Sequence, residues 1–472
     1  MPPNVRSDRQ LALGAFLEKK RNDILSSPYS GPTARDRAAG KRHVRKLRTR
    51  ILQSEFRHSG KRQVIRAPNL LLYKLKDDHL RDTLSPKFSS RYTPIKKRIR
   101  EQKKREVTLS NFSFARNPKG TLKQIREVAR SAATHIDVRI NFTDSKCDDI
   151  APYMVLAKVV GTLPPVFSGG LINREVATVL ESVGLDRLLG VKRYVRDNGP
   201  FPILPFKMAF RAPPGFFGDK DHLLRPQYKE FIADKFCSAM EKWLEAKGFE
   251  LTESGAEGLI VSITEALDNA ERHGCPEVDD GLGDWLMAGF ARIVFDGAEI
   301  QRIECSVSIV SIGSTISSSL TTASSQVSGI VDGYSELQSK KHGIPQELGR
   351  TIAALQDGIT RDDTASSAKR GGIGLLTLAE IFSDLGETDN PDIQSVFTII
   401  SGNSCLRLSY PYRKGVAPPH SSLRKLWFNT ANDGNMAPDT NHAFTLKDLF
   451  PGTILSACFC IDPAYLQKKL SA

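Results

Sequence analysis

From residue 228 onward the hydrophobic positions repeat with two distinct periods. In YKEFIADKFCSAMEKWLEAKG (228–248), Phe231, Ile232, Phe236, Met240, Trp243 and Leu244 fall on one broad face at helical spacing, and Gly248 closes the predicted helix. A second helical stretch runs from about Glu253 to His273, where Gly274 and Pro276 stop it. Strands are predicted near 286–296 and 301–312. A Ser/Thr-rich stretch, SSSLTTASSQVSG (317–329), precedes a helix at 344–357, and GLLTLAEIFSDL (374–385) predicts another helix. Strands at 395–401, 404–410 and 453–461 follow. Helices segregated from an antiparallel set of strands predict an α+β sandwich over 206–472.

Residues 111–205 have a different rhythm. TLKQIREVARSAAT (121–134) predicts an amphipathic helix and HIDVRINF (135–142) a strand. APYMVLAKVVGTL (151–163) predicts a helix, PVFSGGLI a short strand, and NREVATVLESVGLDRLL (173–189) a further helix. Alternating strand and helix predict a small α/β domain.

Charge adds a third region. The chain of 472 residues carries a net charge of +14. Residues 1–110 hold 29 Lys and Arg against 10 Asp and Glu, which leaves 38 basic and 43 acidic residues for the remainder. The positive charge therefore belongs to one N-terminal extension, with GKRHVRKLRTR (40–50) and PIKKRIREQKKR (94–105) as its densest parts and aromatic residues interleaved. Short helices are predicted there at about 9–25 and 41–58. Such a block suits the backbone of RNA or DNA, or an acidic protein partner; on composition alone a solvated tail is equally open. No apolar run approaches 18 residues, which predicts no membrane span, and no apolar secretion core is visible near the N-terminus. The seven cysteines are scattered without a CxxC pair, which predicts free thiols and a cytoplasmic protein.

Three stretches carry candidate chemistry. ITEALDNAERHG (263–274) places Glu265, Asn269 and His273 at four-residue steps, so that they share one helix face beside Ile263, Leu267 and Ala270. A carboxylate there can accept a proton, and an amide oxygen can bind a hard cation such as Mg²⁺. Taken alone, the same stripe suits capping, pairing or solvent. SIVSIGSTI (308–316) is a strand that breaks at Gly313, where the backbone can turn sharply or approach a flat ligand. KRGGIGLLTL (369–378) sets Lys369, Arg370, Gly371, Gly372 and Gly374 before an apolar helix, whose free N–H groups can cradle phosphate. It lacks the GK[ST] of a P-loop and the leading strand of a Rossmann turn.

In this order the stretches resemble the GHKL ATPase superfamily of gyrases, chaperones, MutL proteins and histidine kinases, over about 206–472. EALDNAERHG resembles the N-box, nearest to the anti-sigma-factor serine kinases. SIGSTI falls where DxGxGI is expected and RGGIGL where GxGxGL is expected. FPGTIL (450–455) resembles the last-strand GT element, and SVFTIISGNSCLRL (395–408) the hairpin before it. The resemblance implies a Bergerat-type α/β sandwich whose mainly antiparallel sheet carries helices on one face. It implies ATP and Mg²⁺ as ligands, with Asn269 on the metal and Glu265 polarising the attacking water or hydroxyl. Gly371, Gly372, Gly374 and Leu375 would hold phosphates, residues 317–370 would form a lid ending in Lys369 and Arg370, and Thr453 would lie near the adenine. His273 would either pack or touch phosphate. Ser311 and Gly313 match the adenine-site element, but Ser311 stands where the family has aspartate. A hydroxyl is the weaker and two-way partner, at a cost of about 1–3 kcal/mol.

The α/β stretch 111–205 resembles the β-α-β-α half of STAS domains. The serine those domains phosphorylate has no counterpart in CDDIAP (147–152), where Asp148 and Asp149 stand instead. Together these resemblances imply a slow bacterial ATPase working as a nucleotide-controlled switch, through self-association or a protein partner. A protein serine/threonine kinase of the anti-sigma type, and a non-catalytic scaffold with a nucleic-acid-binding arm, are the alternatives.

Overall fold

The computed structural model describes residues 78–85, 101, 104–163, 166–191, 202–211, 228–245, 248–273, 283–297, 299–321, 325–359 and 374–470. The expected helices at 9–25 and 41–58, and most of the basic extension, lie outside the described residues. The protein is a mixed α+β chain that divides into two compact units. One comprises Met1–Leu109, Arg126–Phe142 and Val159–Leu171; the other comprises Ser110–Ile125, Thr143–Lys158 and Ile172–Ala472. No helix among the described residues is long and apolar enough to cross a membrane.

In chain order the elements are α1 (His79–Leu84), β1 (Lys104–Leu109), α2 (Pro118–Thr134), β2 (Asp137–Phe142), α3 (Ala151–Thr162), α4 (Arg174–Ser182), α5 (Asp186–Leu189) and β3 (Ile203–Phe210). They continue with α6 (Lys229–Glu245), α7 (Glu253–His273), β4 (Trp285–Asp296), β5 (Glu299–Ile312), α8 (Ile316–Leu320), α9 (Ser325–His342) and α10 (Gln346–Ala354). The last are α11 (Gly374–Leu385), β6 (Val396–Leu408), β7 (Ala443–Ile461) and α12 (Pro463–Leu470).

In the smaller unit β1 and β2 pair in parallel, Lys104 opposite Asp137 through Leu109 opposite Phe142. Residues 166–171 run along the other side of β2. Val138 N–H donates to Val166 O, Ile140 N–H to Gly169 O and Phe142 N–H to Leu171 O. The expected short strand is thus a hydrogen-bonded segment with one parallel bridge, Val138 to Phe167. Residues 104–109, read from their charge as part of the basic extension, form a strand instead, because Val107 and Leu109 alternate inward. The expected helix 173–189 is broken into α4 and α5 at Gly184, whose φ of 85° is costly for other residues.

The larger unit is built on one antiparallel sheet of order β3-β4-β5-β7-β6. Period-two alternation gives the sheet two different faces. Cys305, Val307, Ile309, Leu455, Ala457 and Phe459 point into a core shared with α6, α7 and α11, where Phe236 meets Phe206, Trp243 and Phe382 edge-on. Ser306, Ser308, Ser456 and Thr398 occupy the opposite face and are buried. The prolines of FPILPFKMAF argue against a strand, yet β3 forms there. It lies at the sheet edge, the position that tolerates Pro205. The Ser/Thr-rich stretch also folds, into α8 and the start of α9. Thr315 caps α8, accepting from Ser318 N–H at 3.0 Å, and the apolar side of α9 packs through Val331.

Two buried charges anchor the polar face. Asp149 Oδ2 accepts from Phe114 N–H (2.6 Å), Ala115 N–H (3.1 Å) and Ser113 Oγ (3.1 Å), while Oδ1 accepts from Ala151 N–H (3.0 Å) and Ser456 Oγ (2.8 Å). Burial pushes its carboxyl above the usual carboxylate range, and these donors pull against it. Arg292, 2% exposed, is surrounded by Glu304, Glu175 and Asp148 and also donates to Cys147 O. Burial raises the Glu304 carboxyl, but Arg292, with Lys146 and Arg302 beside it, outweighs burial and holds it down to about 2.

A carboxyl whose folded pKa lies below its ordinary 4.5 stabilises the fold above that pH and loses the contribution as pH falls toward 2. Glu304→Gln is therefore expected to cost about 2 kcal/mol at neutral pH, discounted for partial exposure. It should also flatten the acid limb of the stability curve between pH 4.5 and 2. Denaturant unfolding across that range checks it; a variant with the wild-type acid limb contradicts it.

A candidate nucleotide cleft

The cleft follows from where α7 sits on the sheet. Thr252 Oγ1 accepts from Gly255 N–H at 3.2 Å, capping the start of α7. Leu259, Ile263 and Leu267 then bury one stripe of the helix in the core. Glu265 and Asn269 lie at the margin of that stripe, half-buried, and both line a cleft. Asp268 pairs with Lys229 and Arg272, and Glu271 takes Lys229 Nζ at 3.1 Å and Trp285 Nε1 at 3.0 Å.

The floor is the sheet face beneath. Ile309 and Ser311 on β5 and Thr453 and Leu455 on β7 line it, with Ser311 directly opposite Thr453. The next strand continues the row, since Ser401 on β6 is the register partner of Thr453. Three hydroxyls thus stand side by side across β5, β7 and β6. Ser401 Oγ lies 3.0 Å from Thr453 Oγ1 and 3.3 Å from Gly452 O, and accepts from Ile316 N–H at 2.8 Å. Ser401 therefore ties the cleft floor to the first residue of α8.

Two glycines allow this geometry. Gly452 has φ 142°, and a Cβ there would lie 2.1 Å from Ser311 O. Gly313 has φ 143°, and its N–H donates to Pro451 O at 3.0 Å, which turns the chain from β5 toward α8.

Helices form the walls. Ala266 and Ala270 of α7, Leu375 of α11, Ile316, Ser319 and Leu320 of α8, and Ala354, Leu355 and Ile359 around the end of α10 complete the lining. The cavity volume of the cleft is about 150 Å³. An apolar slot with a hydroxylated floor and one carboxylate–amide pair in its lining suits a flat ring with a polar edge.

Five residues singled out in the sequence line this one cleft: Glu265, Asn269, Ser311, Leu375 and Thr453. Gly313 adjoins it through the β5–α8 turn, and Gly374 begins α11. His273 is the last residue of α7. Lys369, Arg370, Gly371 and Gly372 lie outside the described residues. The expected lid, 317–370, contains α8, α9 and α10 among its described residues. Sequence reasoning missed the lining by Leu320, Leu355 and Ile359, and the role of Ser401; the apolar residue next to each strand or helix end was the only available signal.

Among the described residues, no group of three or more His, Cys, Asp or Glu could hold a metal ion. Family models, curated proteins and solved structures, each searched with this chain, yield no match.

Proposed function

We propose that the cleft binds Mg²⁺-ATP and that the larger unit is a GHKL-type nucleotide switch with slow hydrolysis. The observation that supports this reading is convergence: residues from four stretches that are separate in the chain line one cleft. The adenine would lie over Ser311 and Thr453, on the sheet face that Ile309 and Leu455 also line, beside Ala266 and Ala270 of α7. Its amino edge would meet hydroxyls where related ATPases present a carboxylate.

The donor set fits Mg²⁺ rather than a metal held wholly by protein. Asn269 offers a single amide oxygen, so phosphate oxygens and water would complete the shell, as Mg²⁺ prefers. Bound there, the ion would neutralise phosphate charge and orient the terminal phosphoryl group. Glu265 would orient the attacking water and accept its proton. The tie from Thr453 through Ser401 to Ile316 N–H gives occupancy of the floor a route to α8.

A panel of ATP, ADP, GTP and adenosine, with Mg²⁺ or with chelator, tests the ligand class by the shift in melting temperature. The reading expects ATP with Mg²⁺ to give the largest shift. Equal silence from all four would overturn the reading.

A further inference from the structure

Between β6 and β7 the chain makes a long excursion, residues 409–442, that the nucleotide reading does not use. One guanidinium at its centre, Arg424, reaches two cleft walls that are far apart in sequence. On one side it grips Asp357, three residues beyond α10, with Nε at 2.8 Å from Oδ2 and Nη2 at 3.2 Å from Oδ1; its backbone N–H adds a third bond at 2.9 Å. On the other side it bonds α11, with Nη2 at 2.9 Å from Thr377 Oγ1 and Nη1 paired to Glu380. Asp357 is 4% exposed, so this is a buried fork rather than a surface pair.

The excursion holds Arg424 firmly. Val416 and Lys425 exchange both backbone bonds at 2.9 Å, and Leu426 exchanges bonds with the side chain of Gln356 at 2.7 and 2.9 Å. Gly415 N–H donates to Glu380 Oε1 at 2.9 Å. A Cβ on Gly415 would lie 2.8 Å from Leu376 and 2.9 Å from the Arg424 side chain, so only glycine lets the excursion approach α11 this closely.

We propose that Arg424 is a positioning residue for the cleft: it fixes the distance between the end of α10, which supplies Ala354 and Leu355, and the first turn of α11, which supplies Leu375. The inference rests on the nucleotide reading above, in which the start of α11 faces phosphate. A helix start attracts an anion only where it is held against it, and the held position here depends on a side chain from neither helix. The base site as placed above, on α7 and the sheet, has no residue in the clamp.

Phosphate-bearing ligands should therefore depend on Arg424, and adenosine should not. Calorimetry at a temperature where circular dichroism shows the folded protein is expected to give an ATP Kd raised about tenfold or more in Arg424→Ala. Adenosine Kd should change less than about twofold, and Arg424→Lys, which keeps the charge but not the fork, should fall between. Should Arg424→Ala fail to fold, Glu380→Gln removes the charge of the α11 arm, leaving the Thr377 bond, and is expected to weaken ATP several-fold with adenosine unchanged. An unchanged ATP Kd in a folded variant, or an equal loss for ATP and adenosine, overturns the clamp. Wild-type protein that binds neither ligand overturns the nucleotide reading itself, and the clamp with it.

Discussion

Glu265→Gln is expected to lower ATP turnover by about 100-fold or more, the usual contribution of a positioned general base. Affinity for ATP should stay within a few-fold of wild type. Glutamine keeps the length and hydrogen-bonding capacity of the side chain but cannot take a proton from water. Glu265 is half-buried at the rim, beside Asn269 on the same helix face and above the hydroxyl row. Of the acidic residues of α7, Glu265 is the one that lines the cleft. Phosphate release under saturating ATP, set beside equilibrium binding, separates chemistry from affinity. A variant that hydrolyses at the wild-type rate removes Glu265 from the reaction. A variant that loses binding and turnover together assigns it to binding.

The second large effect is on stability and lies on the opposite sheet face. Asp149→Ala is expected to destabilise the protein by about 4 kcal/mol, because it strands buried donors rather than removing one contact. Three of the five donors are backbone N–H groups, of Phe114, Ala115 and Ala151, which cannot rotate toward another acceptor. Ser113 and Ser456 can turn away. Asp149→Asn should cost less: an amide oxygen can keep the Phe114 and Ala115 bonds, while the amide NH₂ faces Ala151 N–H and leaves that donor unpaired. Urea midpoints of the three proteins check the order, with the alanine variant lowest. Equal midpoints for Asp149→Ala and wild type would show that water replaces the carboxylate without loss.

The same residue illustrates what the sequence conveys. By its resemblance to STAS domains, CDDIAP is where a phosphorylatable serine is sought, and Asp148 and Asp149 stand there instead. The fold buries Asp149 completely under five donors, one of them from Ser456, more than 300 positions away in the chain. No local pattern announces such a partner.

Strongly periodic elements were legible. The helices at 253–273 and 374–385 have the bounds their apolar spacing predicts, and β4 and β5 lie within a residue or two of theirs. Elements whose local chemistry disagrees with their conformation were not. β3 carries a proline, Pro205, that only its edge position tolerates. α8 and α9 grow from serines and threonines that favour loops until a cap and a packed face decide otherwise. β6 reads as two strands because a bulge at Gly402 interrupts its ladder, and β7 begins ten residues early because its first half pairs only with β6.

The site divides the same way. Glu265, Asn269, Ser311, Leu375 and Thr453 were legible because each sits in a motif with its own spacing. Ser401 and Arg424 were not, since each acts through partners brought together only by the fold.

Asn269 tests the account most directly, because a Mg²⁺-ATP site needs its amide oxygen while the fold does not. The measurement is the melting temperature with saturating ATP, with Mg²⁺ or with chelator, for wild type and Asn269→Ala. At a hundredfold excess over Kd, a site that binds only the folded state adds about 2.7 kcal/mol, a shift of several degrees. The account predicts that shift in wild type with Mg²⁺, a much smaller one with chelator, and none in the variant, whose melting without ligand stays near wild type. A wild-type protein indifferent to ATP, or an Asn269→Ala variant with the full Mg²⁺-dependent shift, would contradict it.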